Sequence, residues 1–215
     1  MKRFDLVAIS IFIFGAAVAS AAGQAPKPTQ TPDSKPSAPT AAASLPEPKP
    51  GPQIEKLLRA LEGTWSIKET FAPDAASPKG STGEGMIVWR AGPGGFSVIE
   101  DYRSKRANNE VTGLAAFWWD ETAHGYRTIW CDSTNPGGCI DFRNVVQWQG
   151  SQLVLVEDYE VNGKKLTFKE VFGEIGVNTF TQTLYGGDVG SELKVDQTIQ
   201  ATKLRAAADR GAPRK

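Results

Sequence analysis

The chain is 215 residues long, with 24 Lys and Arg balancing 24 Asp and Glu, a single His and two Cys. Neither sign of charge forms a long block, so the basic face that nucleic-acid binding needs is missing and no nucleic-acid partner is expected. One His and two Cys are too few for the converging ligand sets of zinc and other transition metals, so neither a metal nor a cofactor is expected.

Residues 1–22 read as a signal peptide. Lys2 and Arg3 form a positive start, Leu6 to Ala19 is apolar apart from Ser10, and Ala19-Ser20-Ala21 supplies small residues at the cleavage point. Left uncleaved, the segment from Leu6 to Ala22 would sit at the low end of the roughly 17–25 residues that span a bilayer, and only then is membrane contact expected. Residues 23–52 hold nine of the fourteen prolines, among Ala, Ser, Thr, Lys and Gln. Such a segment cannot build a core and reads as a disordered linker. Residues 53–204 are enough for one domain with a real core, and residues 205–215 form a charged, Ala-rich tail expected to be disordered.

The domain opens on an amphipathic helix signal from Gln53 to Glu62, followed by Gly63-Thr64-Trp65. Ten short runs follow, each bounded by Gly, Pro, Asn or Asp, which is an all-β signature. The first, Thr64 to Phe71, places Trp65, Ile67 and Phe71 on one face. In the second, Thr82 to Arg90, Gly83 and Gly85 suggest a bend or bulge. Gly92-Pro93-Gly94-Gly95 turns the chain into Phe96 to Arg103; it lacks the Gly-Lys-Ser/Thr ending of a phosphate loop. Val111 to Trp119 and Tyr126 to Asp132 come next, joined by a polar turn that contains His124.

Cys131 and Cys139 flank seven residues of turn chemistry, and in an exported chain they read as a disulfide stapling a wide hairpin loop. Ile140 to Trp148 is read as one strand, and Gln152 to Val161 as the next. Asn162-Gly163 is the strongest hairpin signal, because both central positions of a type I′ turn need positive φ. Lys164 to Phe172, Thr179 to Tyr185 and Leu193 to Leu204 complete the set. Sequential hairpins argue for an antiparallel up-and-down meander of about ten strands, which loses its exposed edges by closing into a barrel.

The stretch Gly51 to Leu57, then Leu61-Glu62-Gly63-Thr64-Trp65, Trp119-Asp120 to Tyr126, and Trp130-Cys131-Asp132-Ser133 resembles a bacterial family of exported, lipocalin-like domains known as domain of unknown function 1579. The resemblance covers residues 51 to 204 and implies a ten-stranded calycin-type barrel with a helix closing one end, and no established activity. In lipocalin-like barrels the Gly-x-Trp element closes the base, which implies a structural role for Gly63 and Trp65. Heme barrels of the nitrobindin type carry an axial His in their last strands; His124 lies in a turn instead, so heme is not expected.

If Trp65 points inward, alternation turns Ile67, Glu69 and Phe71 the same way. Phe96, Val98, Glu100 and Tyr102 share a face, as do Tyr126, Thr128, Trp130 and Asp132. These mixed faces are read as inward, with Glu100, Asp132 and Arg143 the polar groups expected to meet inside. Glu100, Tyr102, Tyr126, Trp130, Asp132 and Arg143 are therefore the expected ligand-binding residues, with a small apolar or aromatic molecule, such as a lipid, as partner. No nucleophile and base can be assembled around one His, so no catalytic residue is named. The same aromatic stripes also fit a filled core, which leaves an envelope scaffold or protein-interaction module as the alternative, and a cofactor-free enzyme on a sequestered substrate as the third reading.

Overall fold

The computed structural model describes residues 48–204, apart from Ala76 and Asn108. The signal peptide, the linker up to residue 47 and the tail lie outside the described residues. Within them the chain folds as helix α1 (Pro52–Leu61) followed by eleven antiparallel strands. Proline in the first turn suits α1, because the amide it lacks would have no helical partner there. The helix buries Ile54, Leu57 and Leu61 on one side. It ends at a corner where Gly63 has φ +131°, a value that L side chains rarely adopt, and where a Cβ would lie 2.6 Å from Lys203 Cε. The Trp65 indole N–H donates to the Leu61 carbonyl at 2.8 Å, tying the corner to the first strand.

The strands are β1 (Gly63–Phe71), β2 (Ser81–Ala91), β3 (Ser97–Arg106), β4 (Glu110–Asp120), β5 (Gly125–Asp132), β6 (Cys139–Asp141), β7 (Gln147–Gln149), β8 (Gln152–Val161), β9 (Lys164–Gly173), β10 (Thr179–Asp188) and β11 (Lys194–Lys203). Each pairs with its sequence neighbour except β6 with β7, and β1 also pairs with β11, Trp65 facing Lys203. The Asn162-Gly163 turn has positive φ at both residues, as type I′ requires. Cys131 and Cys139 are joined in a disulfide across β5 and β6.

Ile140 to Trp148, read from sequence as one strand, is two. Residue Ile129 faces Asp141, but Tyr126 faces Val146, where an unbroken register would have brought Asn144. Two extra residues bulge between β6 and β7, and the Tyr126–Val146 bridge beyond them, with N–H···O bonds of 2.9 and 2.8 Å, closes the ring. The bulge leaves β8 beyond Val154 without a strand neighbour on that side among the described residues. Arg143 and Asn144 fasten it instead: Arg143 Nε and the Asn144 backbone N–H donate to the Glu157 carboxylate, both at 2.9 Å. Asn144 Nδ2 donates to the Val156 carbonyl at 2.7 Å, and an Arg143 terminal N–H to the Asp158 carbonyl at 2.6 Å.

Of the bend or bulge expected at Gly83 and Gly85, no bulge forms, since β2 keeps register with β1 and β3 throughout. These glycines serve close approach: a Cβ on Gly85 would collide with the Arg103 backbone, and one on Gly83 with the Glu69 carboxylate. The register shift that does occur is between β10 and β11, where Leu184 faces Gln197 but Tyr185 faces Val195, leaving Asp196 as the extra residue.

Candidate functional site

Alternation divides the barrel interior into two halves of different chemistry. At the helix end Trp65, Trp89, Tyr126, Phe172 and Phe180 are fully buried with Leu57, Leu61, Ile67 and Leu153. Trp65 meets Phe180 edge-on at 4.8 Å between ring centroids, and Trp89 meets Phe172 edge-on at 5.9 Å. Each such side chain adds on the order of 2–3 kcal/mol through apolar burial, and this half is filled. Tyr126 belongs to it: its hydroxyl donates to the Gln53 carbonyl at 2.8 Å and accepts from the Trp148 indole at 3.2 Å, locking α1 to the base.

Toward the other end the inward positions become polar. Glu69 on β1 is buried and accepts hydrogen bonds from Tyr102 and Ser104 of β3, and from Gln197 Nε2 of β11 at 2.7 Å. The Arg106 guanidinium stands 3.7 Å from it and 4.2 Å from the centre of the Phe71 ring. Burial, and then the bond to Glu69, push the Tyr102 phenol up to about 12. Trp130 lies edge-on to Tyr102 at 5.6 Å; Gly113 makes room for its ring, which a Cβ there would strike.

A second acidic group is less well satisfied. Glu170 on β9 shares the inward face of Phe168 and Phe172, and Gln182 Nε2 of β10 donates to it at 2.6 Å. The Oε1 atom of Gln182, a residue 7% exposed, is buried with no donor among the described residues. Glu100 on β3, 3% exposed, faces the same space and receives no hydrogen bond from a described side chain. The Trp89 indole N–H, on the neighbouring strand, is without an acceptor among them. Burial holds Glu100 well above the usual carboxylate range, and the charges of Glu170 and Asp101 add to the effect. Burial likewise carries Glu170 from 4.5 to about 7, against the opposing effect of the Gln182 bond. Glu170 nonetheless keeps some accessible surface.

A pocket of about 310 Å³ opens at the rim, lined by Phe71, Phe168, Leu184 and Gln197 from inward positions, with Asp74 and Asp196 at its edge. The β11 bulge brings Asp196 over Gly186, where a Cβ would collide with its carboxylate. Bulges re-aim side chains in this way. Leu184 faces Glu170 across the β9–β10 ladder, so Glu170 stands beside a residue of the pocket wall.

Of the six residues expected to bind ligand, Glu100, Tyr102 and Trp130 share the polar half. Asp132 is drawn aside: it accepts from Trp130 Nε1 at 2.8 Å and from the backbone of Thr134 and Asn135 in the disulfide loop at 2.7 and 2.9 Å. These bonds bring its carboxyl below the ordinary value in spite of partial burial. Arg143 has an exposed side chain on the wall, paired with Glu157, and Tyr126 is in the base. Glu100, Asp132 and Arg143 therefore do not meet. Glu170, Gln182 and Asp196 were missed. Glu170 had the same signal as Glu100, a carboxyl between inward apolar or aromatic residues; Asp196 had none, because a bulge inverts the phase of alternation. His124 is an exposed turn residue with φ +49°.

Among the described residues no group of three or more His, Cys, Asp or Glu could hold a metal ion, and no helix is long and apolar enough to cross a membrane. No protein-family model matches the chain, and no curated protein does. Several solved structures are similar in fold. Rv2717c from Mycobacterium tuberculosis has 12% identity and a TM-score of 0.48, over 73% of this chain and all of that one. The S-type phycobiliprotein lyase CPES from Guillardia theta has 10% identity and a TM-score of 0.46, over 71% of this chain and 93% of that one. A redesigned β-barrel, mFAP0, described bound to DFHBI, has 10% identity and a TM-score of 0.37, over 67% of this chain and 99% of that one.

Proposed function

We propose that the protein is an exported barrel that takes a small, partly apolar molecule, lipid or aromatic, into the open half of its interior without covalent chemistry. The observation that carries this reading is the contrast between the halves: one end packed with aromatics under α1, the other polar, with a pocket of about 310 Å³ at its rim. That volume is at the lower end of the usual range for small-molecule sites, and an apolar lining with a few polar groups is their usual chemistry. Phe71, Phe168 and Leu184 offer apolar contact, while Tyr102, Trp130 and Glu100 supply the aromatic and polar surface further in. Asp132 and Arg143 enter the proposal as positioning groups, Asp132 by orienting Trp130 and Arg143 by holding β8 at the bulge. Export rests on the composition of residues 1–22 and agrees with the disulfide. Membership of the exported lipocalin-like family rests on the residues that carry the resemblance.

Native mass spectrometry of protein recovered without refolding tests the reading, with tryptophan fluorescence under titration with a lipid and aromatic library beside it. The expected result is a reproducible non-covalent mass lost on denaturation, and a change in Trp130 emission that Trp130→Phe abolishes. No adduct, with fluorescence unmoved across the library, would sink the binding reading.

A further inference from the structure

We propose that the ligand carries a protonated amine, received by Glu170, Gln182 and Glu100; this rests on the ligand-binding reading above. These three residues come from β9, β10 and β3 and converge in the barrel interior, where with both carboxyls ionised they offer acceptors only. Gln182 spends its donor on Glu170 and leaves its buried Oε1 without one. Glu100 has no described side-chain donor, and Glu170 has the one bond. A primary ammonium brings three donors and a positive charge, which answers all three needs at once. A neutral ligand leaves charge uncompensated, and a carboxylate ligand adds repulsion.

Positive charge near the site is committed elsewhere. Arg106, an inward cation, is held at Glu69 and over the Phe71 ring. Beside Glu170, Glu157 of β8 is tied to Arg143 and Asn144, and β10 contributes Gln182 and Leu184, which do not titrate. Lys169, next in sequence, lies over the Tyr185 ring at 5.6 Å. Across the lumen stand Glu100, backed by Asp101, and the Glu69 group with Tyr102. At the rim Asp196 and Asp74 extend the acidic character outward, while Phe168, Phe71 and Leu184 suit an aromatic or alkyl body.

Glu170 titrates at about 7, whereas a primary alkylamine stays protonated to about pH 10, as the Lys side chain does. An amine that prefers the ionised carboxylate therefore binds more tightly as pH rises, by about tenfold per unit until about pH 7, and displaces protons below it.

The test is calorimetric titration of the full chain with phenethylamine, 2-phenylethanol and phenylacetate between pH 5.5 and 8.5, in two buffers of different ionisation heat. Binding of the neutral fluorophore N-phenyl-1-naphthylamine is followed in parallel. The expected result is phenethylamine bound about tenfold or more tighter than the alcohol at pH 8, no detectable phenylacetate binding, and proton release with the amine below pH 7. Glu170→Gln should flatten the pH profile and erase the preference for amine while the fluorophore still binds. Should that variant not fold, the pH profile and proton count of the unaltered protein decide the matter alone. Equal binding of alcohol and amine, or an amine affinity flat in pH, would overturn the amine and leave the carrier reading standing. If no probe binds, the neutral fluorophore included, both readings fall.

Discussion

Glu170 is the residue at which stability and binding pull in opposite directions. Its carboxyl titrates near 4.5 when exposed and at about 7 in the fold. Below about pH 4.5 both states are protonated and the group is neutral in its effect. Between 4.5 and 7 the unfolded chain gives up the proton first, so stability falls as pH rises, and above 7 the loss stays constant at about 3 kcal/mol by linkage. Glu170→Gln is therefore expected to raise stability by up to about 3 kcal/mol at pH 8 and by little at pH 4, measured by urea unfolding at the two values. A gain equal at both would show that burial of the charge is not the cause. Gly113 shows the opposite sort of dependence, on space alone. Gly113→Ala forces the Trp130 ring out of its seat, at about 1–3 kcal/mol for overpacking. A loss of near-UV circular dichroism together with a lower unfolding midpoint checks it.

Among the elements, the helix and most strands could be read directly, because period-two alternation and turn residues such as Asn162-Gly163 act locally. The break between β6 and β7 could not. Two inserted residues preserve parity, so Ile140, Phe142, Val146 and Trp148 keep the spacing of an unbroken strand while the pairing slips by two. Asp196 escaped for the complementary reason: one inserted residue inverts parity, and nothing in the surrounding Val195 and Gln197 betrays it. In the same way Glu69 and Glu100 were legible as inward groups, but the partners of Glu69 were not, since Gln197 and Tyr102 come to it from strands far apart in sequence. The bulge also explains why a charged residue expected in the lumen sits outside it. Arg143→Ala leaves the Glu157 carboxylate and the Asp158 backbone carbonyl of β8 short of a donor. Its expected effect is faster amide hydrogen exchange across Val156 to Asp158 with the base of the barrel unchanged. The Cys131–Cys139 bridge closes a short loop, so replacing both with Ser is expected to cost about 2–3 kcal/mol by the loop-entropy estimate, read from the shift in the unfolding midpoint.

For the whole molecule, the division of the interior decides what can be changed without losing the fold. The aromatic half under α1 holds most of the fully buried large side chains, and truncations there, such as Trp65→Ala, are expected to cost about 3–5 kcal/mol in equilibrium unfolding. The polar half gives up packing to present acidic groups, and it is bordered by the turns after β1, β3, β5, β8 and β10. The chain enters and leaves at the opposite end: Pro50 lies against Gly95 beside the base, and the Leu204 backbone N–H donates to the Thr64 carbonyl at 2.7 Å. A sensor chip or bead coupled at residue 48 or residue 204 would thus carry the barrel with its mouth turned to the flowing sample. Immobilisation through either position should give the same analyte response, and a circularly permuted barrel reopened at Asn162-Gly163 would reverse that orientation.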